Sequence, residues 1–277
     1  MIRKLTSLLL MLALLALPAA MAEEAAVRVG ALKGPTAMGM VEMMRDKADA
    51  YDFTLAAAPD ELVPLLVKGE LDIAAVPANL GAVLYNNTKG AVRVLAINTL
   101  GVLYIVERGD TVHSVADLKG RTLVTAGKGS TPEYALNYIL KGNGLDPESD
   151  LTIEFKSEHA ECLAAMLQDD SLVAMLPQPF ATVAQAKAED IRIALDLTRE
   201  WDALQADAET PSTMITGVAV ARAAFVDEHP EAVDQFMADY AESVQFVQDD
   251  VDGAAALCRG RSSIIEATGN RQQETVK

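Results

Sequence analysis

Residues 69–86 read GELDIAAVPANLGAVLYN. Gly69 stands where a helix over Asp60–Lys68 must end, with Asp60 a good N-cap at its start. Leu71–Val76 (LDIAAV), apolar except for Asp72, reads as a strand. Pro77-Ala78-Asn79 is a junction of small and polar residues, and Ala78–Tyr85 is a helical pattern. Strand, short junction, helix is the unit of α/β layering.

The unit recurs in both directions. Before it, Ala26–Ala31 reads as a strand, Thr36–Tyr51 as a helix and Phe53–Ala57 as a strand. After it, Val92–Val106 is rich in β-branched residues and long for one strand, and Asn98–Gly101 can bend it. The pattern then restarts. Ser114–Leu118 is a helical turn. Strands are expected over Thr122–Thr125, Leu151–Phe155, Leu172–Leu176 and Ile191–Leu195, with helices over Thr131–Lys141, Ala160–Leu167 and Pro179–Ala188 between them. Met214–Ala221 is one more strand, and Pro230–Val247 is a long amphipathic helix with Val233, Phe236, Met237, Tyr240 and Val244 on one face. The fold class expected is therefore α/β in two lobes, each a mostly parallel sheet flanked by helices. The hinge falls at Asn98–Val106, and the chain returns near Ser212–Val218. In residue ranges, 23–105 begin the first lobe, 106–212 form the second and 213–258 return to the first.

The two ends read differently. Residues 1–22 carry the marks of a secretory signal: Arg3 and Lys4, the apolar run Leu8–Leu17, Pro18, and Ala20-Met21-Ala22 before Glu23. An N-terminal anchor helix is the alternative, although an apolar run of about ten residues is short for a bilayer that needs about twenty. No cysteine follows the cleavage position to take a lipid anchor. Beyond Cys258 the apolar periodicity fades. Arg259–Lys277 is polar with four basic and two acidic residues, opposite in sign to the rest, and reads either as a flexible tail or as a truncated or frame-shifted end.

Composition removes whole classes of function. The 277 residues are 51% hydrophobic with 23% charged, which excludes disorder and leaves enough apolar mass for two cores. The net charge of -17 argues against nucleic acid, whose phosphates such a surface repels. Two cysteines exclude a disulfide framework, while leaving open whether Cys162 and Cys258 pair. There is no G-x-S-x-G elbow and no H-E-x-x-H. The segment Gly127-Lys128-Gly129-Ser130-Thr131 lacks the Lys-Ser/Thr of a phosphate-binding P-loop. His113, His159 and His229 are scattered; His159-Ala160-Glu161-Cys162 reads as a solvated helix start because neighbours on a helix do not face one another.

What remains is a set of strand-to-helix junctions. They contain Lys33, Gly34, Pro35 and Thr36; Ala78 and Asn79; Gly129, Ser130 and Thr131; and Gln178, Pro179 and Phe180. Ligands of open α/β sheets sit outside the carboxyl ends of strands, where these junctions lie. Free N–H groups at helix starts favour an anion, with Lys33 adding charge. Gln178 offers hydrogen bonds and Phe180 an apolar wall. Asn98 and Thr216, on the two connecting segments, complete the expected ligand set. No arginine is present in the junctions for a bidentate clamp, so a neutral or heteroaromatic molecule is as open as an anionic one.

The segments RVGALKGPTAMGM, GELDIAAVPANLGAVLYN, GRTLVTAGKGSTPEYAL and VAMLPQPFATVA carry a resemblance. From about Val27 to Ala255 the chain resembles bacterial ABC-transporter substrate-binding proteins, in the branch of nitrate, sulfonate, taurine and thiamine-precursor binders. The resemblance implies a type II periplasmic-binding-protein fold with a Venus-flytrap cleft. It also implies work with a separately encoded permease and ATPase. On that reading the protein is extracytoplasmic, monomeric, non-enzymatic and without cofactor or metal. The competing readings are an enzyme on the same fold, like the lyases of menaquinone biosynthesis, and a ligand-sensing receptor subunit.

Overall fold

A computed structural model describes residues 25–260. The signal-like residues 1–22 and the tail 261–277 lie outside them. Two five-stranded sheets are built on one plan. The first contains β1 (Val27–Leu32), β2 (Tyr51–Ala56), β3 (Ile73–Pro77), β4 (Val92–Leu100) and β10 (Ile215–Arg222), in the order β2-β1-β3-β10-β4. The second contains β5 (Leu103–Arg108), β6 (Thr122–Ala126), β7 (Thr152–Lys156), β8 (Val173–Pro177) and β9 (Ile191–Asp196), in the order β7-β6-β8-β5-β9. In each, one strand runs against the rest: β10 is antiparallel to β3 and β4, and β5 to β8 and β9. These are the strands that enter from, or return across, the other half of the chain.

Helices cover both faces of both sheets, and the strand sequences show why. In β3, Ile73 and Ala75 point into one core while Ala74 and Val76 point into another. The same alternation places Val173 and Met175 opposite Ala174 and Leu176 in β8. On the first sheet, α1 (Pro35–Met38), α2 (Val41–Asp46), α9 (Ala223–Glu228), α10 (Pro230–Asp249) and α11 (Val251–Gly260) bring Met40, Met43, Phe225, Phe236 and Ala254 to one face. Its other face is closed by α3 (Pro59–Lys68) and α4 (Ala78–Asn87) through Leu62, Leu66 and Leu84. On the second sheet, α5 (Thr131–Gly142) and α8 (Leu197–Gln205) supply Leu136, Ile139 and Leu197, while α6 (His159–Gln168) and α7 (Phe180–Lys187) supply Cys162, Met166 and Ala181.

Several expectations shift in detail. The helix expected over Thr36–Tyr51 is broken at Gly39, where a Cβ would stand 3.1 Å from the Tyr240 ring and 3.2 Å from Val244. The break lets α10 approach. Tyr51 belongs to β2, and its hydroxyl donates to the buried Asp239 at 2.6 Å. Gly69 does end α3 in the left-handed region, at φ 81°. Asp60 is not the N-cap. Ala58 holds that position, and Glu61 accepts from its N–H instead. The long run Val92–Val106 is two strands in two sheets, so the expected boundary at 105/106 falls inside β5. The helices α8, α9 and α11 were not expected; α11 carries helical packing through Cys258. Cys162 and Cys258 are both free and buried in different cores. Among the described residues no helix is long and apolar enough to cross a membrane.

Candidate functional site

Because the sheets share a plan, the carboxyl ends of β1, β2 and β3 have counterparts in β6, β7 and β8. All six ends open on one cleft of about 590 Å3. The first sheet contributes Lys33, Pro35 and Thr36 after β1, Ala57–Asp60 after β2, and Pro77 and Leu80 at β3 and α4. Gly127–Ser130 and Pro132 after β6, Lys156–His159 after β7 and Pro177 at β8 come from the second. The crossing between the sheets supplies Thr99, Val102, Leu103 and Thr216 as the floor.

Of the residues singled out in the sequence, Lys33, Pro35, Thr36, Gly129, Ser130 and Thr216 line this cleft. The others lie nearby in other roles. Gly34, at φ 106°, turns the chain into α1 beside the Phe180 ring. Phe180 packs against His159, with ring centroids 5.6 Å apart and the planes tilted by 46°. Gln178 folds back on its own helix: its Oε1 accepts from the Thr182 hydroxyl at 2.8 Å, and the Gln178–Pro179 peptide is cis. Asn98 donates to the Thr36 carbonyl at 3.4 Å and accepts from Thr99 at 3.0 Å. Ala78 opens α4. Asn79 and Thr131 bond to each other from opposite sheets.

Two of the six junctions, Ala57–Asp60 and Lys156–His159, were not singled out. They follow β2 and β7 as the others follow their strands. The signal was therefore available in the strand-to-helix rule itself.

The polar groups of the cleft are largely committed within the protein. At three junctions a glutamate in the first helical turn accepts from N–H groups just before the helix. Glu61 accepts from Ala57 and Ala58, Glu161 from Ser157, and Glu133 from Gly129. Thr36 donates its hydroxyl to the Leu32 carbonyl, and Ser130 donates to that of Gly127. Charge is supplied by Lys33, Lys128 and Lys156 against Asp60 and Glu158. Lys128 sits 5.7 Å over the Phe155 ring, and Lys156 pairs with Glu154 at 3.0 Å. The walls between them are aliphatic: Leu32, Val63, Leu80, Val102 and Leu103.

His159 is the exception. Its Nδ1 is sealed from solvent and has no hydrogen-bond partner, although the ring keeps some exposure. Burial pushes the imidazole down to about 4, so the ring is neutral at pH 7. An orphaned buried nitrogen costs about 1–3 kcal/mol unless something bonds to it.

The floor is held under tension. Gly101 and Val102 lie at φ 62° and 67°, and for a β-branched residue that region costs about 1–2 kcal/mol. The surroundings fix it: Thr216 donates to the carbonyls of Thr99 and Gly101, and the Gln178 N–H donates to that of Val102 at 3.1 Å.

Two matched sheets, a cleft between them and a crossing-strand floor define the class as a two-lobed periplasmic-binding-protein fold. Solved structures agree. An ABC transporter protein from Parabacteroides distasonis has a TM-score of 0.69 at 20% identity, with 88% of this chain and 82% of that one covered. The aliphatic sulphonate binding protein SsuA from Escherichia coli gives 0.63 at 17%, covering 89% and 79%. The nitrate-binding protein NrtA from Synechocystis gives 0.65 at 15%, covering 86% and 66%. No curated protein sequence matches. Residues 40–270 match the family described as ABC transporter, phosphonate, periplasmic substrate-binding protein, and the chain belongs to it. It is a substrate-binding component of the ABC importer class, and members of that family are periplasmic.

Proposed function

We propose that the cleft captures a small organic molecule and hands it, in the closed state, to an ABC permease driven by its ATPase. The observation that carries this is the cleft on which six strand ends open, with lysines and aliphatic side chains contributed by both sheets. A ligand in it can touch both walls at once only when the lobes are closed. Lys33, Lys128 and Lys156 suit an anionic head, in keeping with the family, while the aliphatic walls suit a carbon-bearing body rather than a bare oxyanion. The wall residues taken to touch ligand are Lys33, Thr36, Ser130, His159 and Thr216.

The remaining parts of the proposal follow from it. The chain is exported by residues 1–22 and works without catalysis. Residues near Gly101 and Thr216 divide the lobes. Cys162, a nucleophile in other settings, is buried in a core with its thiol pushed up to about 12 by burial.

The test is titration calorimetry with methylphosphonate, hexylphosphonate, hexanesulfonate and nitrate on the parent, His159→Ala and Lys33→Ala. A carbon-bearing anion is expected to bind the parent best, and each variant is expected to weaken it about tenfold or more, with the fold kept by circular dichroism. Equal affinity in all three proteins would remove both residues from the site.

A further inference from the structure

We infer that Asn79 and Thr131, with the Gly129 carbonyl, form a latch that closes the lobes independently of ligand. The inference rests on the two-lobed fold and not on which molecule is bound. Three hydrogen bonds cross here from one lobe to the other. The Asn79 backbone N–H donates to Thr131 Oγ1 at 3.0 Å, and the Thr131 hydroxyl donates to Asn79 Oδ1 at 3.0 Å. Asn79 Nδ2 donates to the Gly129 carbonyl at 3.1 Å.

The backbone bond explains why the pair is sited where it is. Asn79 is the second residue of α4, so its N–H has no partner within the helix. The residue before the helix is Pro77, whose side chain cannot cap it. Thr131 does so instead, from the first position of α5 in the other lobe. One threonine hydroxyl thus accepts from the start of one helix and donates to a side chain of the same helix, spending its proton and a lone pair on the opposite lobe. The Asn79 amide is likewise spent at both ends.

These groups read from sequence as ligand contacts. Their bonds to each other across the lobes make them positioning residues that hold the two walls together. Parting the lobes breaks all three bonds at one place. Each is neutral and exchanges with water, so the latch biases the closed state without locking it.

The experiment needs no ligand. Spin labels are placed on the exposed positions 67 and 187, through Val67→Cys and Lys187→Cys, and inter-lobe distances are measured in the unliganded protein. Cys162 and Cys258 are buried and replaced by alanine if they label. Thr131→Val keeps the shape and removes two of the bonds. It is expected to lower the closed-to-open ratio about tenfold. Asn79→Ala should do at least as much. The double variant should go further than Asn79→Ala, which leaves the backbone N–H bond to Thr131, but by less than the sum of the single effects, because the side-chain bond is shared. Thr131→Ser, which keeps the hydroxyl, should match the parent and shows that position 131 tolerates substitution. An unliganded distribution that is the same in the parent, Thr131→Val and Asn79→Ala overturns the latch. That result, combined with weakened anion binding by Thr131→Val and Asn79→Ala when they are titrated with the same four anions, would return both residues to the ligand. A working latch in a protein that binds none of the four anions would instead overturn only the ligand proposal.

Discussion

Replacing His159 by phenylalanine should flatten part of the protein's acid sensitivity. The neutral imidazole has a folded pKa of about 4 against 6.5 for an ordinary histidine. A base with a depressed folded pKa takes up its proton more readily when unfolded, so stability falls as pH drops through the window from 6.5 to 4 and is fully present above it. At about 1.4 kcal/mol per pKa unit, the shift is worth at most about 3 kcal/mol between pH 7 and pH 4. The partial exposure of the ring makes that a ceiling. Phenylalanine cannot titrate, and it can pack against Phe180 in the tilted contact the imidazole makes. Urea unfolding of both proteins at pH 7, 6, 5 and 4 measures the difference directly. The parent should lose about 2–3 kcal/mol more than His159→Phe across the range, most of it below pH 6. Parallel curves would mean that the nitrogen is hydrated in solution, and the reasoning from its isolation would fail.

Other outcomes follow from the same kind of accounting. Asp72 is buried between Arg28 and Arg222, which bond it at 2.7 and 2.6 Å and hold its carboxyl below the usual range. Asp72→Ala should cost about 2–3 kcal/mol in urea unfolding at pH 7. The loss should shrink as pH falls below the ordinary aspartate range, where the unfolded chain protonates first, and disappear only once the native carboxyl, held lower by the two arginines, is protonated too. Gly101→Ala places a side chain at φ 62° against Thr198, and should lower stability by about 2 kcal/mol or more in the same assay. A thiol reagent should find Cys162 and Cys258 unreactive in the native protein and count two thiols after denaturation without reductant.

Much of the architecture could be read from the residues because it rests on local rules. The strand expected over Leu71–Val76 is present as β3, shifted to Ile73–Pro77, and Gly69 ends the helix before it. The bend in Val92–Val106 was placed correctly because a single strand of that length has no place in a sheet of short ones. What escaped depends on partners distant in sequence. Gly39, where the expected helix breaks, packs against Tyr240 and Val244, and Tyr51 sits in a strand with its hydroxyl on Asp239. The helix α8 was missed although Asp196 caps it locally, its side chain accepting from the Thr198 N–H at 2.9 Å.

The site divides in the same way. Strand ends locate a cleft, so Lys33, Thr36 and Ser130 were within reach. Which hydrogen bonds those residues make was not. Glu61, Glu133 and Glu161 occupy the helix starts, Gln178 serves Thr182, and Asn79 serves Thr131. His159 was set aside for its sequence neighbours, whereas its importance comes from what burial denies it.

The most direct test of the account is whether filling the cleft abolishes binding. Leu80 stands in its wall at the start of α4, and Leu80→Trp adds bulk into the space of about 590 Å3. Calorimetry with the tightest of the four anions should show saturable binding to the parent and at least a tenfold loss in the variant, with both proteins melting at similar temperatures. Undiminished binding by Leu80→Trp would place the ligand elsewhere and contradict the central claim.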